Sequence, residues 1–161
     1  MRNLLIVLAL IAVFVWRGGF LASEVDQTTL RASGPDPCAR TEKCLGVYLT
    51  PWCPHCQKSG PLVDELRQRA ASSAGRVGVK VIVGRDERDV LERYAQQLGG
   101  PVFFDDDGRF YRQVGGGGVP AWLSWDATGH ILEKMHGRPT GAPTPVLADH
   151  VSEILGLADV L

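Results

Sequence analysis

The chain has 161 residues, which suffices for one domain and is too short for two of ordinary size. Apolar residues make up 45% of it and charged residues 22%, which excludes an intrinsically disordered chain. The net charge of −1 gives no basis for binding nucleic acid or an anionic membrane surface.

The N-terminal segment, residues 1–22, predicts export. A positively charged start precedes the apolar run Leu4–Trp16, whose thirteen residues match the hydrophobic region of a signal peptide. A membrane-spanning helix needs about 20 residues. The letters GFLAS offer a cleavage site after residue 22, although Phe20 stands where a small residue is preferred. If the segment is not cleaved, residues 4–22 form a short membrane anchor. A cleaved signal peptide and an anchor therefore both remain as interpretations.

The next part of the chain predicts a linker followed by a strand and a helix. Residues 23–43 are polar and lack sustained periodicity, which predicts a linker and leaves 44–161 as the folded domain. Leu45–Thr50 is a short apolar run with β-favouring residues, as in a buried strand. From Cys53 onward the apolar residues recur with helical spacing, and Pro61 inside this helix predicts a kink.

The rest of the chain alternates between strand and helix patterns. Val77–Gly84 predicts a second strand, and the following helix is expected to have Asp86 as its N-cap and to end at Gly99. The letters PVFFD predict a short strand, AWLSW and HILEKMHG predict a hairpin around the turn DATG, and Thr144–Leu157 predicts a closing helix. This order indicates an α/β fold with a mixed central sheet flanked by helices.

The chemistry of the sequence is concentrated in TPWCPHCQ, Thr50–Gln57. Cys53 directly follows a strand at the first turn of a helix, where unpaired N–H groups and the helix dipole stabilise a thiolate. The spacing of three residues puts Cys56 on the same helix face, close enough to bond Cys53. Cys53 is nearer the helix end, so we expect it to attack first and Cys56 to resolve the mixed disulfide.

The residues around the two cysteines are candidates for supporting roles. Pro54 and His55 lie between them, and a histidine at this place adds positive charge or a donor that lowers a thiol pKa. The alternative for His55 is a solvated surface residue. Trp52 either shields the nucleophile, with a place in substrate binding, or packs in the core.

A zinc site and a plain structural disulfide are the alternatives to a redox pair. Structural zinc sites have four ligands, often from two CxxC-type pairs, whereas five residues separate Cys38 from Cys44 and no cysteine follows Cys56. We therefore predict no metal. About 20 Å of strand separates Cys44 from Cys53. That distance favours a local structural disulfide between Cys38 and Cys44 over a redox relay, which stays the alternative.

These motifs together resemble the thioredoxin superfamily. They are WCPHC after a strand, Pro61 five residues beyond Cys56, GVP before a strand, and the DATG hairpin. The CPHC letters are those associated with DsbA-type thiol oxidases, and the longer chain between the second strand and Pro120 is similar to TlpA-type membrane-tethered oxidoreductases. The resemblance implies that Pro120 is cis and faces the cysteines, and that the backbone of Val119 pairs with a substrate peptide.

The sequence departs from these families at two positions. The buried acid that assists proton transfer in many thioredoxins would fall at Val47, and the glutamate of TlpA-like reductases would fall near Ser59. The long helical insertion of DsbA proteins is also missing. An oxidase-like motif therefore stands on a reductase-like frame.

The resemblance implies an exported, periplasmic thiol–disulfide oxidoreductase, soluble or anchored to the inner membrane. It implies protein thiols and disulfides as substrates, a membrane redox partner, no nucleic acid and no cofactor. The CPHC motif favours oxidation slightly. The alternatives are a periplasmic reductant of the cytochrome c maturation type and a non-catalytic thioredoxin-like binding module.

Overall fold

A computed structural model describes residues 24–161 of the chain. The predicted signal peptide or anchor, residues 1–22, lies outside the described residues. In the described part, no helix is long and apolar enough to cross a membrane. The strands there are β1 (Arg31–Ala32), β2 (Lys43–Leu49), β3 (Val77–Gly84), β4 (Val102–Asp105), β5 (Ala121–Asp126) and β6 (Ile131–His136). The helices are α1 (Pro54–Gln57), α2 (Gly60–Ser72), α3 (Arg88–Leu98), α4 (Arg109–Gln113) and α5 (Thr144–Ile154).

All six strands join in one sheet of order β1-β4-β3-β2-β5-β6. Strands β2, β3 and β4 run parallel to one another, whereas β1 and the β5–β6 hairpin pair antiparallel to their neighbours. The predicted mixed central sheet flanked by helices is therefore confirmed. Because β2 and β3 are parallel, the segments that follow them leave the sheet at the same edge.

The two faces of the sheet are covered by separate apolar clusters. Along β2, Leu45, Val47 and Leu49 point into one cluster, and Cys44 and Tyr48 point into the other, as the alternation of a strand requires. The first cluster includes the buried side chains of α2, α3 and α5. The second includes α4 and the N-terminal part of the described chain.

The helix predicted from Cys53 onward is two helices, and the break between them falls at Lys58 and Ser59, just before Pro61, where a kink was predicted. The chain leaves α1 in a tight turn, in which the Ser59 N–H donates to the Cys56 carbonyl at 3.0 Å. Pro61 lies in the first turn of α2. A proline there removes no intrahelical hydrogen bond and begins a helix without bending it.

Helix α3 is capped one residue later than predicted. Its N-cap is Glu87, while the Asp86 carboxylate accepts the Glu87 N–H at 2.9 Å. Its end at Gly99, with φ of 61°, is as predicted. The closing helix begins at Thr144 as predicted but ends at Ile154, before Gly156 with its φ of 63°.

Helix α4 has no counterpart in the sequence predictions because a buried carboxylate organises it. Asp105 is fully buried and accepts the backbone N–H groups of Phe110 and Tyr111, each at 3.0 Å. It also accepts the Tyr48 hydroxyl at 2.9 Å. Burial and the neighbouring Asp105 raise the pKa of Tyr48. The acidic letters DDDG thus form a turn whose first aspartate anchors a short helix inside the core.

The segment predicted as a linker, residues 23–43, packs on the domain over its described part. Strand β1 pairs with β4, and the N–H of the buried Val25 donates to the Gly129 carbonyl at 2.8 Å. Cys38 and Cys44 are joined in a disulfide that ties this segment to β2. The linker prediction failed because backbone pairing with distant strands leaves no hydrophobic periodicity in the segment itself.

The same segment covers a buried charge on β3. Lys80 is 1% exposed, lies 4.5 Å from the ring centroid of Phe103, and forms an ion pair with Asp36 at 2.6 Å. The Gln27 side-chain oxygen also accepts from the Lys80 ammonium. A buried ammonium is tolerated only when it is paired and hydrogen-bonded. Both partners of Lys80, Gln27 and Asp36, lie in the segment that precedes β2.

Candidate active site

The two cysteines of the CPHC motif lie at the junction between β2 and α1. Cys53 is the N-cap of α1, with φ of −90° and ψ of 118°, and its carbonyl accepts the Gln57 N–H at 3.1 Å. Cys56 lies inside the helix. Both thiols are free, and both are buried, with Cys53 6% exposed and Cys56 fully enclosed. The structure therefore brings the predicted pair together at the predicted strand-to-helix position.

Burial gives Cys56 a strongly perturbed thiol. It raises the pKa of Cys56 to about 12, and the neighbouring Cys53 sulfur adds to this rise. Hydrogen bonding from Thr50 acts in the opposite direction, and the Thr50 hydroxyl lies 3.8 Å from Cys56 Sγ. Cys56 is consequently a neutral thiol near neutral pH.

The Val119–Pro120 segment lies directly against Cys53. The Cys53 thiol donates to the Val119 carbonyl oxygen, with 3.6 Å between sulfur and oxygen. The Val119–Pro120 peptide bond is cis, as the resemblance implied. The Gly137 N–H donates to the Pro120 carbonyl at 2.8 Å, which fixes the start of β5 against the end of β6.

The chain reaches Val119 through the glycine loop, Gly115–Gly118, whose four residues all have positive φ. Three side chains outside the loop hold it. The Gly118 N–H donates to the Tyr111 hydroxyl at 3.1 Å, and His136 Nδ1 lies 3.3 Å from the Gly118 carbonyl. The Lys134 ammonium donates to the Val114 carbonyl at 2.8 Å, just before the loop.

Trp52 belongs to the surface of the site, so its core-packing alternative is wrong. Its side chain is 53% exposed, and its indole N–H donates to the Arg85 carbonyl at 3.1 Å. The Arg85 guanidinium lies 5.5 Å from the Trp52 ring centroid and 4.6 Å from that of Tyr111. Contacts thus run from Trp52 through Arg85 and Tyr111 to Gly118.

The sequence predictions missed Arg85, Tyr111 and His136. For Arg85 a usable signal exists, because it directly follows β3 and so leaves the sheet at the edge that carries Cys53. No sequence pattern marks Tyr111 or His136. They come to the site only through the packing of α4 and β6 against the glycine loop.

Val47 and Ser59, where the sequence departs from the families it resembles, are both buried. Val47 is fully enclosed in the apolar cluster beneath the cysteines. Ser59 is fully buried too, and its hydroxyl donates to the His55 carbonyl at 2.8 Å, while the His55 ring is exposed on α1. Neither position supplies a carboxylate to the cysteine pair.

The other cysteine pair lies away from this site. Cys44 is the second residue of β2, whereas Cys53 follows the far end of that strand. Across residues 24–161, no group of three or more histidine, cysteine or acidic side chains is arranged to hold a metal ion.

Solved structures share this architecture. A secreted Mycobacterium tuberculosis disulfide oxidoreductase homologous to Escherichia coli DsbE has a TM-score of 0.54 at 20% identity, over 71% of this chain and 84% of that one. A putative thiol:disulfide interchange protein DsbE from Chlorobium tepidum has a TM-score of 0.57 at 20% identity, over 74% and 83% of the two chains. The chain has a thioredoxin-like fold.

A third thioredoxin-like neighbour is the exposed lipoprotein thioredoxin Etrx1 of Streptococcus pneumoniae. Its TM-score is 0.55 at 18% identity, over 71% of this chain and 87% of that one. No protein-family model matches this chain, and no curated protein matches its sequence. At such identities the thioredoxin-like fold is what the neighbours share with it.

Proposed function

We propose that this protein is an exported thiol–disulfide oxidoreductase that exchanges disulfides with protein substrates through Cys53 and Cys56. The observation that carries the proposal is the placement of Cys53. Its sulfur stands at the start of α1 and 3.6 Å from the Val119 carbonyl, and it is 6% exposed, whereas Cys56 is fully enclosed. A fully enclosed thiol beside a less enclosed thiol at the helix start suits a resolving and an attacking cysteine respectively.

In the oxidising direction, a substrate thiolate attacks Cys53 Sγ of the Cys53–Cys56 disulfide. The bond between the two cysteines breaks, and Cys56 leaves with the electron pair and takes up a proton, as its high pKa favours. A second substrate thiolate then attacks the substrate sulfur of the mixed disulfide. Cys53 leaves, so the substrate gains a disulfide and the protein ends as a dithiol.

The residues next to Cys53 supply the proposed surface for a substrate. We infer that the Val119 backbone pairs with an extended substrate peptide beside Cys53, in the manner of an added strand, and its 3.6 Å contact with the Cys53 sulfur supports this. Pro120 fixes the direction of the chain behind it, and the exposed Trp52 ring offers apolar contact. Pro54 and His55 tune the thiols from the exposed side of α1.

The direction of exchange is proposed as oxidation, on the CPHC motif. A periplasmic reductant of the cytochrome c maturation type is the second candidate, since two of the structural neighbours carry the description DsbE or a homologue of it. Export is supported by the signal-like residues 1–22 and by neighbours described as secreted or exposed. Either direction requires a membrane redox partner to renew the protein, and neither requires a metal or organic cofactor.

Trapping of mixed disulfides tests the proposal. A Cys56→Ser variant lacks the resolving thiol and should accumulate covalent complexes with protein substrates that a reductant releases. Cys53→Ser is the matched control and should capture none, because the enclosed Cys56 cannot reach a substrate. If neither variant captures a substrate and Cys53→Ala retains the biological role, the proposal is contradicted. The non-catalytic binding module would then be the better interpretation.

A further inference from the structure

Tyr94 carries a buried hydroxyl that nothing in the described structure satisfies. Its side chain, on α3, is 6% exposed. Its Oη is enclosed and has no hydrogen-bond partner among residues 24–161. Buried hydroxyls are nearly always paired, so an unpaired one calls for an explanation, and a redox or catalytic role is one of those known.

The topology directs this hydroxyl toward the cysteines. Helix α3 follows β3 and α1 follows β2, and because these strands are parallel both helices begin at the same edge of the sheet. Side chains on a helix lean toward its N-terminus, so the Tyr94 ring leans toward the edge that carries α1. Tyr94, Cys53 and Cys56 are members of one apolar cluster on one face of the sheet.

The electrostatic coupling agrees with this placement. Burial raises the pKa of Tyr94, and negative charge on Cys56 and then on Cys53 raises it further. This shift has the direction expected for a hydroxyl on the same face of the sheet as both sulfurs. Since the hydroxyl keeps its proton throughout the physiological range, it acts only as a donor toward a thiolate.

Cys56 needs such a donor when it acts. Its thiolate has to form in an enclosed, apolar place, where hydrogen bonding comes from Thr50 alone, through its backbone and through a hydroxyl at 3.8 Å, and Val47 offers no charge or donor. An unpaired charge in an apolar place is costly, and a hydrogen bond to a charged group is among the strong ones.

The other ionisable groups nearby are engaged elsewhere. His55 on α1 and Lys58 just after it are exposed. Arg67 of α2 donates to the Leu98 carbonyl at 2.7 Å. Lys80 and Asp105 belong to the opposite face of the sheet, where each has its own partners.

We propose that Tyr94 donates a hydrogen bond to the thiolate that forms on Cys56 when the protein resolves a mixed disulfide. The inference rests on the proposed function. Cys56 loses its proton to solvent, and its thiolate attacks Cys53 Sγ. The bond from Cys53 to the substrate sulfur breaks, and the substrate leaves with the electron pair. Tyr94 keeps its proton and stabilises the charge on Cys56 until the new bond forms.

The test uses reduced protein with the Cys38–Cys44 disulfide intact, and dithiobis(nitrobenzoate) as a small disulfide substrate. Attack by Cys53 releases one coloured thiolate at a rate that depends on reagent concentration. Resolution by Cys56 releases a second at a rate that does not. Wild-type protein that fails to release the second equivalent would contradict the proposed function itself, separately from the role of Tyr94.

The decisive comparison is between wild type and Tyr94→Phe. Because the substitution removes an unpaired hydroxyl, the variant should fold with equal or greater resistance to urea. We expect its concentration-independent phase to slow by about tenfold or more, with the first phase within about twofold of wild type. The pH profile of the second phase should move to higher pH.

Tyr48→Phe is the matched control, since it removes a buried hydroxyl on the opposite face, where Tyr48 bonds Asp105. It should lower stability and leave the second phase unchanged. An unchanged second phase in Tyr94→Phe, or equal slowing of both phases, would overturn the proposal. Equal slowing in both variants would do so too, because it would indicate a general structural effect.

Discussion

Cys53 and Cys56 differ in their surroundings although only two residues separate them. Cys53 is the N-cap of α1, and its thiol donates to the Val119 carbonyl. Cys56 is fully enclosed, and its sulfur lies near the Thr50 hydroxyl. Enclosure raises the pKa of Cys56 to about 12 from an ordinary value of 9.0. In the proposed reaction, the burial that keeps Cys56 from substrates also keeps its thiol protonated until the mixed disulfide has formed.

This raised pKa predicts a loss of stability at alkaline pH in the reduced protein. The thiol of an unfolded chain ionises near pH 9, while the folded Cys56 does not, so the contribution of Cys56 is complete below pH 9 and falls as pH rises toward 12. Between about pH 8 and about pH 10, the free energy of unfolding of the reduced wild type should fall by about 1 kcal/mol more than that of Cys56→Ala. Urea unfolding of both proteins at the two pH values measures it. Parallel losses in both would contradict a raised pKa at Cys56.

The glycine loop, Gly115–Gly118, is positioned by elements that the active-site motif does not contain. Helix α4 presents the Tyr111 hydroxyl to the Gly118 N–H, and strand β6 presents His136 to the Gly118 carbonyl. A Cβ at Gly117 would lie 2.7 Å from His136 Nε2, so the loop and β6 fit closely. The position of Val119 opposite Cys53 thus depends on α4 and β6 together.

Loosening this loop should weaken substrate binding and leave the cysteine chemistry unchanged. Tyr111→Phe keeps the ring, which lies 4.9 Å from that of Tyr48 and beneath Arg85, but removes the acceptor of the Gly118 N–H. The loss of one hydrogen bond, about 0.5–1.5 kcal/mol, should raise KM for a peptide disulfide or dithiol by about two- to tenfold. We expect kcat and the reduction potential to stay near wild type.

Steady-state kinetics with a peptide substrate checks this prediction, and Tyr48→Phe is again the control. Tyr48→Phe keeps the ring beside Tyr111 and removes only the hydroxyl that bonds Asp105, so it should lower stability without raising KM. A Tyr111→Phe protein with unchanged KM would show that the loop is held by its other contacts.

The domain extends over more of the chain than its catalytic motif suggests. The segment between Glu24 and β2 adds β1 to the sheet, covers Lys80 with Gln27 and Asp36, and is tied to β2 by the Cys38–Cys44 disulfide. The Asp36 carboxylate also accepts the Cys38 N–H at 2.8 Å. One carboxylate therefore links the buried Lys80 to the disulfide loop.

The pairing of Lys80 with Asp36 predicts an asymmetry between two substitutions. Asp36→Ala leaves a buried ammonium with Gln27 alone and should cost about 1–3 kcal/mol, reduced by the 37% exposure of the Asp36 side chain. Lys80→Met removes the charge and keeps the apolar stem over Phe103, so it should cost less. Adding Lys80→Met to Asp36→Ala should recover stability. If the decreases in urea midpoint of the two single variants simply add in the double variant, the result would contradict the pairing.

The sequence predicted the sheet and the cysteine site because both depend on local patterns. The apolar run ending at Leu49 and the cysteines that follow it fix the strand-to-helix junction within a few residues. The pairing of β1 with β4, the covering of Lys80 and the bond from Tyr48 to Asp105 depend on contacts between residues distant in the sequence. Arg85, Tyr94 and Tyr111 were missed for the same reason, since their relation to Cys53 exists only once the sheet has assembled.

The equilibrium between the reduced protein and glutathione tests whether Cys53 and Cys56 form a working redox pair. A reversible two-electron couple is expected, lost in Cys53→Ser, with a potential nearer the roughly −120 mV of strong thiol oxidants than the roughly −270 mV of thioredoxin. A reversible couple at about −270 mV or below would reverse the proposed direction of exchange. The absence of any reversible couple in folded protein would contradict the oxidoreductase function altogether.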